Sequence, residues 1–438
     1  MRKIKDFADL NDVSYFSTSS ALSAVQFLRI GRNAGWLFLA RVGQQGVLLL
    51  FTALVARQLG DVGLGQLAWV TAVLYVGNIF STWGLDTVLL RQIGAERQTD
   101  SAPLAPALLL ELILAAIFIC ALLLLPFSQQ SAQTVAGLRL YAWVLLPLAV
   151  LTLTSAALRG FEQMGWLAGL TLGTAVLQVV GTAVLFAAGG GFVVLMGWLL
   201  AVQFIAAGGS WWLCRRALPN FGLNWRLLEW QAVRQLARVG FWLALLMVTA
   251  VLLQRLGILL LGWLGTTAQT GQLAAALRLV EAARLLPGAV MGALFPVLAR
   301  EKVASSKWQV ASGGLVTYRS GLVAYGFLAA LMLTLLARPL VFVLFGEGYE
   351  TAVSLLQILA WGVVPFTISL PLSVAMVVAG QEKRVLLATF LVLVGTAVLT
   401  TAAFFWYGLP GVAFGLLIGE FLLVVALFFT RSTITTLA

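Results

Sequence analysis

Residues 34–56 read AGWLFLARVGQQGVLLLFTALVA, and the next ten, 57–66, read RQLGDVGLGQ before apolar residues resume. The first stretch carries a single charge, Arg41, across 23 residues. A helix rises ~1.5 Å per residue and a bilayer core is ~30 Å thick, so this stretch is long enough to cross. The period-two alternation of a membrane barrel strand is absent. The stretch reads as a membrane-crossing helix, and the glycine-rich decapeptide reads as the turn that sends the chain back.

The same grammar repeats along the chain. Twelve spans are expected, at about 34–56, 64–84, 103–125, 138–158, 165–187, 192–213, 239–262, 272–298, 320–337, 353–379, 385–406 and 409–430. The ninth has a natural extension into Arg338–Phe345, and the tenth is interrupted by Pro365 and Pro371. At 61% hydrophobic and 10% charged, the composition excludes a soluble globular domain, whose surface needs more charge than this.

Charge then orients the chain. With the N-terminus inside, 20 of the 27 Lys and Arg fall on the cytoplasmic side, among them Arg29, Arg32, Arg215, Arg216, Arg234 and Arg238. Arg57, Arg139 and Arg338 fall on the other. Positive residues stay on the cytoplasmic side, so both termini are expected there. The net charge of +11 follows from this asymmetry and calls for anionic lipid headgroups, with no nucleic-acid partner. Residues 1–33 lack an apolar stretch of their own and read as a cytoplasmic lead-in instead of a cleavable signal. Cys120 and Cys214 lack metal-site spacing and are expected to be free thiols.

The longest hydrophilic gap, 214–238, separates six spans (34–213) from six (239–430), with 431–438 as a cytoplasmic tail. The tetrapeptide Gly65-Gln66-Leu67-Ala68 recurs as Gly271-Gln272-Leu273-Ala274, 206 residues on, at the outer start of the second and eighth helices. The match is short, but its location at equivalent places in the two halves points to duplication. The expected fold class is an all-α polytopic membrane protein: two six-helix lobes related by a pseudo-two-fold axis along the membrane normal.

Four arginines lie inside spans: Arg41, Arg255, Arg278 and Arg284. Each costs at least ~2.5–3.5 kcal/mol at a helix centre facing lipid, so a wet cavity or an acid should face it. Arg278, Glu281 and Arg284 are spaced i, i+3, i+6 and are expected along one stripe of the eighth helix. In the first helix Gln44 and Gln45 extend the polar stripe of Arg41. The plainer alternatives are snorkelling, above all for Arg41 near the cytoplasmic edge, and structural ion pairs. A basic cavity lined by helices one, seven and eight is the sharper reading, since arginine stays charged and grips phosphate oxygens bidentately. Asp86, Glu111 and Glu420 are candidates for proton or cation coupling, set against the commoner structural hydrogen bond. Histidine is absent, which excludes a histidine proton relay. No catalytic set, metal motif or dinucleotide fingerprint appears, and the glycine run 189–191 reads as a tight turn.

Several further stretches carry a family likeness: Ala56-Arg57-Gln58-Leu59-Gly60 through Gly65, Gly84-Leu85-Asp86 through Arg91, Leu158-Arg159-Gly160-Phe161-Glu162-Gln163-Met164, Leu259-Leu260-Leu261-Gly262, Ala276-Leu277-Arg278 through Pro287, Phe295-Pro296, and Phe345-Gly346-Glu347-Gly348-Tyr349. In these the chain resembles the bacterial polysaccharide-unit flippases (Wzx-type) of the multidrug/oligosaccharidyl-lipid/polysaccharide (MOP) superfamily. The resemblance covers the chain from about Gly35 to the last span. It implies two six-helix lobes in a V, with helices one, two, seven and eight around a cationic cavity. It also implies an undecaprenyl-pyrophosphate-linked oligosaccharide as cargo, as in O-antigen or lipopolysaccharide assembly at the cell envelope. Where many relatives look to have an acid in the seventh helix, this chain has Gln254-Arg255.

The expected function is therefore a flippase working by alternating access in a bacterial or archaeal cytoplasmic membrane, with no bond made or broken. Arg41, Arg255, Arg278 and Arg284 are the expected pyrophosphate ligands; Gln45, Asp86, Glu111 and Glu281 are the expected supporting or coupling groups. No cofactor or metal is expected; a proton or sodium gradient is the candidate energy source. The expected partners are the lipid-linked oligosaccharide and membrane lipids, with the protein monomeric. Two alternatives remain: a multidrug or lipid II exporter of the same superfamily, and, from another class, a membrane polysaccharide polymerase or ligase. The last needs a large outer loop, and the outer loops here are short.

Overall fold

The computed structural model describes residues 24–96, 104–218, 221–223, 228–304 and 309–435. The first helix, α1 (Ala24–Thr82), starts ten residues before the expected span. It is broken at Gly60, whose φ of 68° and ψ of −169° are left-handed and cost a Cβ-bearing residue dearly. The break makes two arms, 24–59 and 61–82, which are the first two expected spans. Next come α2 (Leu85–Glu96) and α3 (Leu104–Leu124). The fourth pass joins α4 (Ala132–Tyr141) to α5 (Leu145–Gly160), and α6 (Met164–Ala187) and α7 (Phe192–Ala217) complete the first half.

The second half opens with α8 (Trp230–Leu264), 35 residues long and starting nine before the expected span. It continues through α9 (Thr267–Ala304), α10 (Gln309–Leu335) and α11 (Ala337–Phe345). Then come α12 (Glu350–Leu359), α13 (Val363–Val378), α14 (Glu382–Tyr407) and α15 (Leu409–Thr435). Among the described residues nine helices are long and apolar enough to cross a membrane, or ten if α10 and α11, bent by 67°, form one span. One of these is the broken pair of arms in α1. α9 is not among these and carries Arg278, Glu281 and Arg284 in its first half. Counting the bent pair as one span, the arms separately and α9 as a pass, the described residues make twelve helical passes, as the sequence leads one to expect.

The fourth and tenth passes share one irregularity. A 3-10 turn, Ala142–Val144, joins α4 to α5, and another, Ala360–Gly362, joins α12 to α13. The sequences there are Ala142-Trp143-Val144-Leu145-Leu146-Pro147 and Ala360-Trp361-Gly362-Val363-Val364-Pro365. Each proline lacks the N–H that would bond the carbonyl four residues earlier, so each pass tightens in the preceding turn.

Reciprocal contacts tie the halves together at the end of the bundle that holds Gly60, hereafter the far end. The two Gly-Gln-Leu-Ala segments meet there. A Cβ on Gly65 would collide with Thr267 O and approach Gly271 N to 2.9 Å; one on Gly271 would collide with Asp61 O and approach Gly65 N to 3.1 Å. Gln66 Nε2 donates to Ser131 Oγ, the N-cap of α4. Gln272 takes the matching place: it accepts from Ala352 N in the first turn of α12 and donates to Gly348 O and Asp61 Oδ2. Gln130, before the fourth pass, donates to Gly262 O; Tyr349, before the tenth, donates to Ala56 O at 3.4 Å. Ala56 and Gly262 are again 206 residues apart. Burial, then the Asp61 carboxylate, pushes the Tyr349 phenol above its ordinary range, so it stays a donor.

The buried apolar residues follow the same plan. One core, from Phe51 and Trp69 through Leu273 to Leu355 and Val412, crosses between the halves at the far end. At the opposite, near end the cores are separate. One gathers Leu85, Leu110, Leu153 and Cys214 of the first half with Val233 and Leu236 of α8; the other gathers Leu372, Met376, Val385 and Leu427. Trp83 Nε1 donates to Ala237 O at 2.8 Å and fixes the first turns of α8 to the first half. Both cysteines are free, Cys214 buried and Cys120 exposed.

Candidate functional site

The seam between the halves carries the charge. α9 packs along both arms of α1, and its fourth turn brings Arg278 and Glu281 to that face. Arg278 Nη1 pairs with Glu281 Oε2 at 2.9 Å, and Arg278 Nε donates to Thr52 Oγ1 of the first arm at 3.1 Å. Thr52 keeps its own hydroxyl proton on Leu48 O, which leaves its lone pairs for the arginine. Arg255, from α8, pairs with the other oxygen, Glu281 Oε1, at 2.7 Å. Its guanidinium sits 5.1 Å from the centroid of Tyr75 in the second arm. One carboxylate thus serves two arginines, and the trio keeps a formal surplus of one positive charge.

The trio lies at mid-depth. Thr52 is eight residues from the break at Gly60, or ~12 Å along the helix, and Arg278 is eleven from the start of α9, or ~16 Å. Each is about half the ~30 Å of a bilayer core. The side chains of Arg255, Arg278 and Glu281 are 24%, 22% and 30% exposed, so the cluster is not sealed inside the protein. Arg255 Nε has no partner among the described residues.

Arg284 does not join this group, and the expected stripe divides. Six residues advance a helix by ~600°, which leaves Arg284 about 120° round from Arg278. It faces the interior of the second half, where Nη2 pairs with Glu420 Oε1 of α15 at 2.8 Å. The same nitrogen lies 3.4 Å from Gly362 O, and the guanidinium is 4.7 Å from the centroid of Phe366. Its charge is matched one to one.

The other expected residues sit elsewhere. The side chain of Arg41 lies outside the described residues, and Gln45 is half-buried on the first arm. Asp86 opens α2, where Arg159 Nη2 of α5 approaches it at 3.9 Å. Glu111 is 2% exposed, and its Oε1 has no partner among the described residues. These two acids belong to the near end of the first half, away from the arginine trio. No group of three acids, cysteines or histidines that could hold a metal exists among the described residues. Sequence reasoning missed Thr52 and Tyr75, which are ordinary in a membrane helix until α9 and α8 are placed beside them.

Two helical halves joined at one end, with a basic trio on the seam at mid-depth, form a fold that solved membrane transporters share. The lipid II flippase MurJ in an inward closed conformation is 13% identical, with 91% of this chain and 87% of that chain covered at a TM-score of 0.71. A MOP superfamily transporter from Pyrococcus furiosus, described by a binding pocket of reversed polarity, is 17% identical, with 96% and 99% covered at 0.67. A eukaryotic MATE transporter is 13% identical, with 92% and 95% covered at 0.69. Identities this low speak for the fold alone. The family is narrower: residues 30–302 match the model described as polysaccharide biosynthesis protein, and the chain belongs to that family. No curated protein matches the chain.

Proposed function

We propose that this protein flips a polyprenyl-pyrophosphate-linked oligosaccharide, with undecaprenyl as the carrier lipid, across the cytoplasmic membrane by alternating access. The observation that carries the reading is the trio Arg255–Glu281–Arg278, which joins both halves at mid-depth and keeps a positive surplus. A pyrophosphate arriving there is a bidentate acceptor for guanidinium and offsets that surplus. Family membership supports a glycan-bearing cargo over a cationic drug, which would meet repulsion at the same place.

The charge asymmetry puts the near end and both termini in the cytoplasm. The far-end seal then belongs to the outer side; at the near end α8 packs on the first half through Val233, Leu236 and Ala237, so entry of the cargo from the cytoplasm needs that contact to part. The halves 34–213 and 239–430, linked by 214–238, are the two rocking bodies of a monomer. No bond changes, so the protein is a carrier and not an enzyme. Asp86 and Glu111 are the groups we assign to coupling with a proton or sodium gradient. Arg284, paired with Glu420, holds the second half together, and Gln45 lines the route along the first arm.

Reconstitution tests this directly. Proteoliposomes holding the purified protein and a fluorescent polyprenyl-pyrophosphate oligosaccharide should expose the label to an outer quencher faster than empty liposomes. Liposomes that leave the lipid in place but accumulate a cationic dye overturn the proposal.

A further inference from the structure

The first half contains a cavity that the arginine trio does not use. It occupies about 290 Å³ between the first arm of α1, α5, α6 and α7, at the low end of ligand-pocket sizes. Its polar lining is Gln44, Ser155, Thr171, Thr174, Gln178 and Gln203, with no charged residue in the wall. On α6 these groups sit opposite the lipid-facing ridge of Trp166, Val176, Val180 and Val184, so they are turned inward by design of the helix face.

The carboxamides of Gln44, Gln178 and Gln203 make no hydrogen bond among the described residues, whereas Thr171 and Thr174 donate to Leu167 O and Leu170 O. The wall therefore offers unpaired amide donors and acceptors beside hydroxyl lone pairs. Gln178 and Gln203 are half-buried carboxamides in membrane helices without a protein partner, with Gln44 more exposed at the cavity's edge, and a polar occupant would satisfy them. A neutral wall does not select a cation or a phosphate. Side by side, donors and acceptors match vicinal hydroxyl groups.

The cavity and the trio share the first arm of α1. Phe51 forms part of its wall, and the next residue, Thr52, accepts the Arg278 bond on the neighbouring face of the same helix. The two places therefore lie on either side of one helix, ~10–12 Å across.

We propose that this cavity is a saccharide subsite, which takes neutral hydroxyl-bearing sugar residues of the cargo while the seam arginines hold the pyrophosphate. The inference rests on the flippase reading given above. The test uses the full chain in nanodiscs and two probes: undecaprenyl pyrophosphate carrying an oligosaccharide, and undecaprenyl pyrophosphate alone. Gln178→Leu and Gln203→Leu should each weaken the glycosylated lipid by roughly 3- to 10-fold, the worth of one hydrogen bond, and leave the bare lipid unchanged. Should either leucine variant unfold early, Thr174→Val removes a hydroxyl with the same shape and should act in the same direction. Unchanged binding of both lipids, or an equal loss for both, overturns the subsite. Failure of the wild-type protein to bind either lipid, or indifference of both to Arg278→Gln, overturns the flippase reading itself.

Discussion

Replacing Gly65 by alanine places a methyl group where α1 and α9 cross with backbone touching backbone. The added Cβ would overlap Thr267 O and come within 2.9 Å of Gly271 N, where ~3.5–4.0 Å is comfortable. Neither neighbour is a side chain that can rotate away, so the helices must part by roughly 1 Å. Overpacking of this kind costs about 1–3 kcal/mol, charged only to the state in which the far end is closed. The closed-to-open ratio should then fall roughly 5- to 150-fold. Spin labels at Gln129 and Glu347, exposed in the matching turns of the two halves, report the distance across this seal. Gly65→Ala should broaden that distribution toward longer distances. Gly169→Ala, where the added methyl meets nothing within 4 Å, should leave it unchanged. Identical distributions for wild type and Gly65→Ala would refute the claim that this crossing is the hinge of the seal.

Other perturbations separate structural charge from functional charge. Glu281→Gln frees both arginines, so affinity for undecaprenyl pyrophosphate should rise roughly 3- to 10-fold while thermal stability falls; weaker binding would contradict the surplus-charge account. Arg284→Met strands Glu420 and should cost about 1–3 kcal/mol, less than a fully buried pair because both side chains are over a fifth exposed. Arg284→Met with Glu420→Met should recover most of that loss in thermal unfolding; no recovery would mean the pair is not what holds α9 to α15. Gln272→Leu strands Ala352 N and should cost roughly 1–3 kcal/mol. Gln66→Leu should cost less, because Ser131 still meets Thr134; equal losses would argue against Gln272 as the hub of the tenth pass.

Much of the architecture is legible in the residues, because spanning a bilayer constrains length and polarity so tightly. The break at Gly60, the paired halves and the out-of-place arginines all follow from a residue type in the wrong company. The Gly-Gln-Leu-Ala echo is legible too, yet its meaning is not: only the fold shows that the glycines touch and the glutamines tie down the starts of the fourth and tenth passes. A second echo, Ala-Trp-Val-Leu-Leu-Pro against Ala-Trp-Gly-Val-Val-Pro, is harder to see, since its spacing of 218 residues differs from the 206 of the first. Partner choice is what helical spacing could not decide. Arg278 and Arg284 lie about 120° apart, and which acid each meets depends on α8 and α15, far away in sequence. The neutral wall of the cavity between α1, α5, α6 and α7 was hidden for another reason: threonines and glutamines in a membrane helix draw little notice until four helices place them together.

The claim on which the account rests is that Arg255 and Arg278 bind the pyrophosphate of a translocating lipid. Flipping of a labelled polyprenyl-pyrophosphate oligosaccharide by Arg255→Gln and Arg278→Gln in proteoliposomes tests it most directly, with Lys variants alongside. Each lost charge-assisted contact is worth ~1.5–3 kcal/mol, so each Gln variant should be slower by roughly 10- to 150-fold, and the Lys variants should recover part of the rate. Wild-type rates in both Gln variants, in protein that folds normally, would contradict the account.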